Sequence, residues 1–263
     1  MLRITTCIKQ VPGTTKVEVD EETGVLKRDG IESKMNPYDL YALETALKIK
    51  EKNGAELRVI SMGPPQASEV IKEAYMMGAD DGLLLSDRKF AGADVLSTAY
   101  TLSQGIAAQG MPDLIICGKQ TTDGDTAQVG PEIAEFLSIP HVANVIRIRE
   151  IKAEAIVVDM DLPYAVETVE IAFPCLITVE KGIYQPRLPS FKLKKATQDR
   201  PIHQLCLKDF TDQNETRYGL KGSPTQVVRI FPPEANTERE TWEGSGPELV
   251  GMIHDRLITE KFI

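Results

Sequence analysis

The chain has 263 residues, of which 42% are hydrophobic and 26% are charged, and its formal net charge at pH 7 is −9. This length and composition predict a globular protein with one large domain and an appended segment, or with two modest domains. The acidic balance disfavours a general nucleic-acid-binding protein, which needs a basic surface to displace phosphate counterions. The sequence has no apolar run of membrane-spanning length and does not open with a signal-peptide pattern, so we expect a cytoplasmic protein.

Cysteine and histidine are sparse and scattered along the sequence. The four cysteines form no C-x-x-C pair, which disfavours a zinc site or an iron–sulfur cluster. The three histidines have no carboxylate or cysteine partner at motif spacing. We therefore expect neither a metal site nor a hydrolytic triad, and no side chain is assigned a catalytic role.

Short apolar runs alternate with helix-like segments through the first half of the chain. Strands are predicted at residues 2–8, 57–61, 82–85 and 114–117, where apolar and β-branched residues cluster. Helices are predicted to begin at Asn36-Pro37, after residues 63–65 (GPP) and at Asp94, because an apolar stripe of helical period follows each of them. Asn36 and Asp94 are expected to cap their helices. This alternation predicts an α/β protein with a doubly wound, mostly parallel sheet.

Two stretches depart from this alternation. Residues 9–35 form a long connection after the first strand, and two alternating pieces at residues 16–19 and 25–28 predict a hairpin that turns at Thr23-Gly24. Later in the chain the apolar pattern has a period of two, which predicts an extension of the sheet by antiparallel strands. These strands are expected at residues 145–151, 155–160, 165–171 and 175–179.

From Tyr184 onward the chain is rich in proline and charge, and a long periodic segment returns only at residues 247–257. We therefore predict a nucleotide-binding α/β domain at residues 1–190 and an extended C-terminal arm at residues 191–263. Such an arm can scarcely bury itself, and it suits the wrapping of a partner subunit, with Trp242 as a candidate anchor. An ordinary mobile tail is the alternative interpretation.

The loop at residues 118–131 (GKQTTDGDTAQVGP) is the main candidate for a ligand site. It follows an apolar strand and leads into a helix-like segment, and the carboxyl ends of parallel strands are where open α/β sheets bind ligands. Its threonines and glutamine offer neutral hydrogen-bond donors for phosphate and ribose oxygens. The competing interpretation is a simple helix start with Asp125 or Thr126 as the N-cap. Both interpretations fit these residues taken alone.

A series of short motifs occurs in a fixed order along the chain. They lie at residues 11–12 (VP), 35–39 (MNPYD), 61–66 (SMGPPQ), 77–80 (MGAD), 118–120 (GKQ), 123–125 (DGD), 174–178 (PCLIT) and 185–189 (QPRLP). Each motif is weak alone, but the ordered series resembles the β subunit of electron-transfer flavoproteins, over most of residues 1–201. The resemblance implies a sheet of the adenine-nucleotide-hydrolase-like type and an electron-transfer flavoprotein α subunit as partner.

The resemblance also implies a nucleotide site at the ends of three parallel strands. The implied cofactor-binding residues are Cys7, Asn36, Pro37, Tyr38, Asp39, Met62, Gly118, Gln120, Thr121, Thr122, Asp123, Gly124, Asp125, Thr126, Ala127, Gln128, Val129, Gly130 and Pro131. These positions include the loop that residue types and spacing had indicated independently.

Two kinds of β subunit occur in the family that this chain resembles. The simple shuttle type binds AMP, and its loop resembles a run of three acidic residues followed by a Thr-Gly pair. The electron-bifurcating type binds a second FAD. Gly124 stands between two aspartates here, which is similar to the bifurcating type, and glycine removes a side chain and a charge where a diphosphate must approach. The resemblance then implies NADH as hydride donor, ferredoxin as low-potential acceptor, and an acyl-CoA dehydrogenase or enoyl-CoA reductase reached through the α-subunit FAD.

The family also uses a loop after its last sheet strand to dock acyl-CoA dehydrogenases. The matching segment here is residues 181–187, with Ile183 and Tyr184 as apolar anchors and Arg187 beside them. A proline-bounded turn with one incidental aromatic residue is the alternative. The turn at residues 161–164 (DLPY) departs from the glycine-rich acidic turn of the family.

Three other functions compete with this interpretation. The Asp123-Gly124-Asp125 sequence could indicate a phosphatase or metal site, but such aspartates normally lie directly at a strand end. An adenine-nucleotide regulatory module of related fold would bind AMP or ATP without a redox role. An ATP-using ligase or pyrophosphatase would need a glycine-serine phosphate loop after the first strand, where this chain has residues 8–12 (IKQVP).

Overall fold

The computed structural model describes residues 1–13, 33–228 and 239–263. The hairpin predicted around Thr23-Gly24 lies outside these residues. The described chain forms eleven strands and six α-helices. In chain order they are β1 (Arg3–Cys7), β2 (Gln10–Pro12), β3 (Ser33–Met35), α1 (Pro37–Asn53), β4 (Glu56–Met62), α2 (Ser68–Met77), β5 (Asp81–Leu85), α3 (Val95–Ala108), β6 (Leu114–Gly118), α4 (Val129–Leu137), β7 (His141–Ile151), β8 (Ala155–Leu162), β9 (Ala165–Ala172), β10 (Cys175–Val179), α5 (Phe191–Ala196), β11 (His203–Leu205) and α6 (Gly246–Thr259).

Nine of the described strands form one sheet in the order β11-β5-β4-β1-β6-β10-β7-β8-β9, and β2 pairs with β3 separately. All neighbours from β11 to β7 are parallel, whereas β8 is antiparallel to both of its neighbours, β7 and β9. The doubly wound, mostly parallel sheet is thus confirmed. The expected antiparallel extension is right for β8 and β9 and wrong for β10, which lies between β6 and β7 and is parallel to both.

Two hydrophobic layers cover the sheet, one on each face. In β6, Leu114 and Ile116 pack with α1 and α2, while Ile115 and Cys117 pack with α3 and α4. Side chains of a strand alternate between faces, so a strand that is buried on both sides must be apolar throughout, as the sequence of β6 is. Asp94 caps α3 as predicted, because its carboxylate accepts the Ser97 N–H at 3.0 Å.

The segment after α5 differs from the extended arm that the sequence predicts. Strand β11 adds to the sheet edge beside β5, and Leu207, Phe210 and Tyr218 are buried. The Phe210 ring stacks on Phe90 with a centroid separation of 5.5 Å. The buried side chains of Leu207, Phe210 and Tyr218 thus help to hold this proline-rich segment on its own domain. Helix α6, in contrast, has no buried residue.

In the described part of the chain, no helix is both long and apolar enough to cross a bilayer.

Candidate functional site

The candidate site lies where the carboxyl ends of β4, β1 and β6 meet the start of α1. From β1 the chain proceeds through β4 and β5 on one side and then returns to place β6 on the other side of β1. This reversal is the position at which open α/β sheets form a ligand crevice. The fold brings the predicted residues together there: Cys7 ends β1, Met62 ends β4, Gly118 ends β6, residues 36–39 open α1, and residues 120–131 lead into α4.

Asn36 holds the loop after β6. Its side-chain amide donates to the Gln120 carbonyl at 2.8 Å, and its Oδ1 accepts the Thr122 N–H at 3.2 Å. Asn36 is the N-cap residue of α1 as predicted, but its side chain makes no capping bond to the helix. A buried asparagine satisfies its polar atoms where geometry allows, and here the loop offers a donor and an acceptor together. Asn36 therefore couples the start of α1 to the loop.

Asp39 is buried beneath the same loop. Its Oδ2 accepts the Lys9 N–H at 2.8 Å. A Cβ at Gly118 would lie 2.6 Å from Asp39 Oδ1 and 2.7 Å from the Tyr38 carbonyl carbon, so only glycine allows the end of β6 to approach α1 this closely. Burial raises the pKa of Asp39 to about 7, against the opposing effects of its hydrogen bonds with Asn36 and Lys9.

Each loop aspartate has a side-chain partner, which for Asp123 is a cation. Lys9 Nζ lies 2.8 Å from both carboxylate oxygens of Asp123. Burial acts to raise the pKa of Asp123, but the Lys9 ammonium prevails and holds it below its usual range. The Asp125 carboxylate accepts a hydrogen bond from the Gln120 side chain. Lys9 was not among the predicted site residues, although a cation directly after a strand's carboxyl end was a usable signal.

The loop backbone contains two non-glycine residues in the left-handed region. Asp125 has φ 55° and Ala127 has φ 56°, and such residues cluster at functional sites because they cost free energy. The Asp125 N–H donates to the Thr121 carbonyl at 2.9 Å, which closes the turn around Gly124. A Cβ at Gly124 would meet only the Thr121 hydroxyl, at 3.2 Å, so this side of the loop is open.

Helix α4 begins at Val129 with Gln128 as its N-cap, and no side chain of the described residues caps it. The competing interpretation, a helix start capped by Asp125 or Thr126, is therefore wrong. The first N–H groups of α4 carry partial positive charge without a side-chain acceptor, which suits an anion. Gly130 sits close to the sheet, since a Cβ there would lie 2.5 Å from Thr178 Cγ2. The arrangement supplies backbone donors and neutral hydroxyls for a nucleotide phosphate, and it pairs the Asp123 carboxylate with a lysine.

The predicted docking residues lie elsewhere, after β10. Ile183 and Tyr184 are half-buried, and burial raises the pKa of Tyr184. Arg187 is bound within the chain, with Nε 2.8 Å from Glu44 Oε2 and Nη1 2.5 Å from Glu51 Oε1. The most exposed apolar residues nearby are Leu188, at 87%, and Phe191, at 70%. Sequence analysis missed both, because exposure of an isolated apolar residue leaves no periodic signal.

Comparisons with known proteins agree with this geometry. The chain matches the electron transfer flavoprotein domain family over residues 23–209. It is 43% identical over 258 residues to an electron transfer flavoprotein subunit beta of Thermoanaerobacterium thermosaccharolyticum, covering 97% of this chain and 98% of that protein. It is also 43% identical over 260 residues to the caffeyl-CoA reductase-Etf complex subunit CarD of Acetobacterium woodii, with 97% and 98% coverage.

A third relative is Protein FixA of Sinorhizobium fredii, at 36% identity over 267 residues, which covers 99% of this chain and 94% of that protein. The family match spans most of the chain, and the relatives align along nearly their whole length. The chain therefore belongs to the electron-transfer flavoprotein β-subunit family.

Proposed function

We propose that this chain pairs with an electron-transfer flavoprotein α subunit in the cytoplasm and binds FAD at the loop of residues 118–131. Bound there, FAD would supply hydride acceptance from NADH and delivery of one electron to ferredoxin and one, through the α-subunit FAD, to an acyl-CoA dehydrogenase or enoyl-CoA reductase. The observation that carries this proposal is Gly124, which leaves the centre of the loop without a side chain or a third acidic charge.

The residues of the loop fit a dinucleotide. A diphosphate is repelled by carboxylates, and here Asp123 is paired with Lys9 while Asp125 is hydrogen-bonded by Gln120. The uncapped start of α4 and the threonine hydroxyls supply donors without adding charge. The chain's own part would be to position the cofactor and set its electrostatic surroundings, and no side-chain acid or base is required.

The partner proposal rests on two observations. One relative is named as a subunit of a caffeyl-CoA reductase-Etf complex, which favours a CoA-ester reductase as partner for this chain. The segment after β10 exposes Leu188 and Phe191 beside Lys192 and Lys195, and exposed apolar residues near charged ones are typical of protein interfaces. We propose this segment, together with Ile183, Tyr184 and Arg187, as the docking region, in which Arg187 fixes the loop on α1.

The main alternative is a non-bifurcating shuttle with AMP in the same loop. The FAD and AMP content of the co-purified heterodimer, and its reaction with NADH, distinguish the bifurcating protein from the shuttle. We expect two FAD per heterodimer, no AMP, and rapid bleaching of the flavin absorbance by NADH. One FAD with one AMP, and no direct reaction with NADH, would overturn bifurcation and leave an electron shuttle. A colourless complex holding only adenine nucleotide would overturn both in favour of a regulatory module.

A further inference from the structure

Asp39 is a buried titratable group to which the proposed function assigns no proton. Its side chain is turned away from solvent, with 5% of the residue exposed, and it lies where three parts of the site meet. It accepts the Lys9 N–H after β1, packs on Gly118 at the end of β6, and belongs to the first turn of α1. Any charge on this carboxyl therefore acts on all three parts.

The groups that face Asp39 leave it poorly compensated when it is ionised. The Asn36 amide and the Lys9 N–H are its hydrogen-bond donors, and the Cys7 and Cys117 thiols lie at the adjoining strand ends. Among the described residues, the ammonium that acts on it is that of Lys9, which is held by both oxygens of Asp123, and the Asp123 carboxylate itself repels Asp39. A buried carboxylate with so little net positive charge nearby is balanced between its two protonation states.

We propose that Asp39 is a proton-linked positioning residue, which takes up a proton from solvent when an anionic nucleotide binds to the loop above it. This inference rests on the proposed nucleotide site. A bound diphosphate adds negative charge near a carboxyl that burial already disfavours as an anion, so the neutral acid is favoured further. The neutral acid still holds Lys9 N–H through its carbonyl oxygen, and the loop keeps its position.

Two quantities follow from this linkage. Nucleotide binding takes up a fraction of a proton where Asp39 is mostly ionised in the free site, which is above its pKa of about 7. The affinity for the nucleotide consequently falls as the pH rises through that region. For one linked proton the dissociation constant increases by at most about tenfold per pH unit.

The test is isothermal titration of FAD into the heterodimer from which the β-subunit nucleotide has been removed while the α-subunit flavin is retained. Titrations at about pH 8 in two buffers of different ionisation enthalpy give the number of protons taken up. FAD suits this purpose because its diphosphate keeps the same charge over this pH range. We expect proton uptake in the natural chain and none in Asp39→Asn, whose amide is neutral at every pH and can still accept the Lys9 N–H.

A second variant, Asp123→Asn, keeps the test independent of how well Asp39→Asn folds. It leaves the Lys9 ammonium unpaired, which lowers the pKa of Asp39, so the proton uptake should shift to lower pH. Absence of uptake in the natural chain, or equal uptake in Asp39→Asn, would overturn the inference while the FAD site stands. Failure of FAD to bind to the natural heterodimer at any pH would instead overturn the proposed function, and this inference with it.

Discussion

Gly124 is the position in the loop where a side chain would add both volume and charge. Its backbone lies outside the left-handed region, so a substitution there does not strain the chain. We predict that Gly124→Asp weakens FAD binding to the β subunit at least tenfold, because a third carboxylate beside Asp123 and Asp125 repels the diphosphate. The measurement is the FAD and AMP content of the purified heterodimer, together with the dissociation constant of each nucleotide.

Gly124→Ala is the matched control, because it adds a methyl group without charge. A Cβ there approaches the Thr121 hydroxyl to 3.2 Å, which a rotation of that side chain relieves. We expect Gly124→Ala to keep most of the FAD affinity. Equal FAD binding by Gly124→Asp and the natural chain would show that this residue does not select the cofactor.

The raised pKa of Asp39 also predicts that the free energy of unfolding depends on pH. Its pKa in the folded chain is about 7, above the ordinary value of 3.8, so the folded state binds this proton more tightly than the unfolded state. Its contribution to the free energy of unfolding is complete below about pH 4, is lost as the pH rises to about 7, and is constant above that. We compare the urea midpoint of Asp39→Asn with that of the natural chain at pH 5 and at pH 8. The midpoint of the variant relative to the natural chain should be higher at pH 8 than at pH 5.

Asp123→Asn supplies a control whose midpoint difference from the natural chain stays constant from pH 5 to pH 8. The Lys9 ammonium lowers the pKa of Asp123, so its stabilising contribution is present above the ordinary pKa and is lost as the pH falls. A midpoint difference between Asp39→Asn and the natural chain that stays constant from pH 5 to pH 8 would contradict the burial of an Asp39 carboxyl near neutrality.

Local patterns predicted which residues the fold brings together better than they predicted the contacts between them. Asn36 was predicted to cap α1, since asparagine before proline at a helix start usually does so. The fold brings Gln120 and Thr122 within reach of it, and these lie 84 and 86 positions away in sequence. Such pairings follow from the order of strands in the sheet, which residue periodicity does not contain. The bond between Lys9 and Asp123 was missed for the same reason.

At the scale of elements, Arg187 fixes the segment after β10 onto α1. Its guanidinium binds Glu44, whose side chain is 2% exposed, and also Glu51. We predict that Arg187→Ala lowers the free energy of unfolding by about 2–4 kcal/mol, because it leaves a buried carboxylate without its main partner. Denaturant unfolding of the heterodimer measures this loss.

Glu51→Gln is the control for this ion pair, since the Glu51 side chain is 52% exposed and its pair contributes at most about 1 kcal/mol. Adding Glu44→Gln to Arg187→Ala should restore part of the loss, because the buried charge is then removed. If Arg187→Ala unfolds at the same denaturant concentration as the natural chain, the loop does not depend on this contact.

The type of each element was easier to predict than its neighbours in the sheet. A doubly wound sheet is indicated directly by two patterns. These are the apolar runs of β1, β4, β5 and β6 and the apolar stripes of the helices between them. The position of β10 could not be predicted, because a strand of five residues, four of them apolar, fits a parallel or an antiparallel neighbour equally well. Strand β11 has only three residues and gives no periodic signal. Its place depends on Leu207, Phe210 and Tyr218, which pack beyond it.

For the molecule as a whole, the described C-terminal region divides into a part that packs on its own domain and a part that does not. Residues up to Ser223 pack on the chain's own sheet and on α3, and Ser223 is buried. Helix α6 instead exposes Val250 at 67% and Ile253 at 49%, with half-buried Leu249 and Leu257 on the same face by helical spacing. An amphipathic helix of this kind requires an apolar surface to cover it. We therefore predict that α6, rather than the whole of residues 191–263, wraps the α subunit.

We predict that the double substitution Val250→Gln and Ile253→Gln weakens association with the α subunit at least tenfold and leaves the fold of the α/β domain unchanged. Both side chains are exposed in this chain, so their replacement costs it little, whereas an interface loses two apolar contacts near its centre. Analytical ultracentrifugation of the heterodimer over a dilution series measures the change. His254→Gln with Asp255→Asn alters exposed polar residues of the same helix and should leave association unchanged. Equal dissociation constants for the natural chain and the apolar-face variant would assign α6 a role other than subunit association.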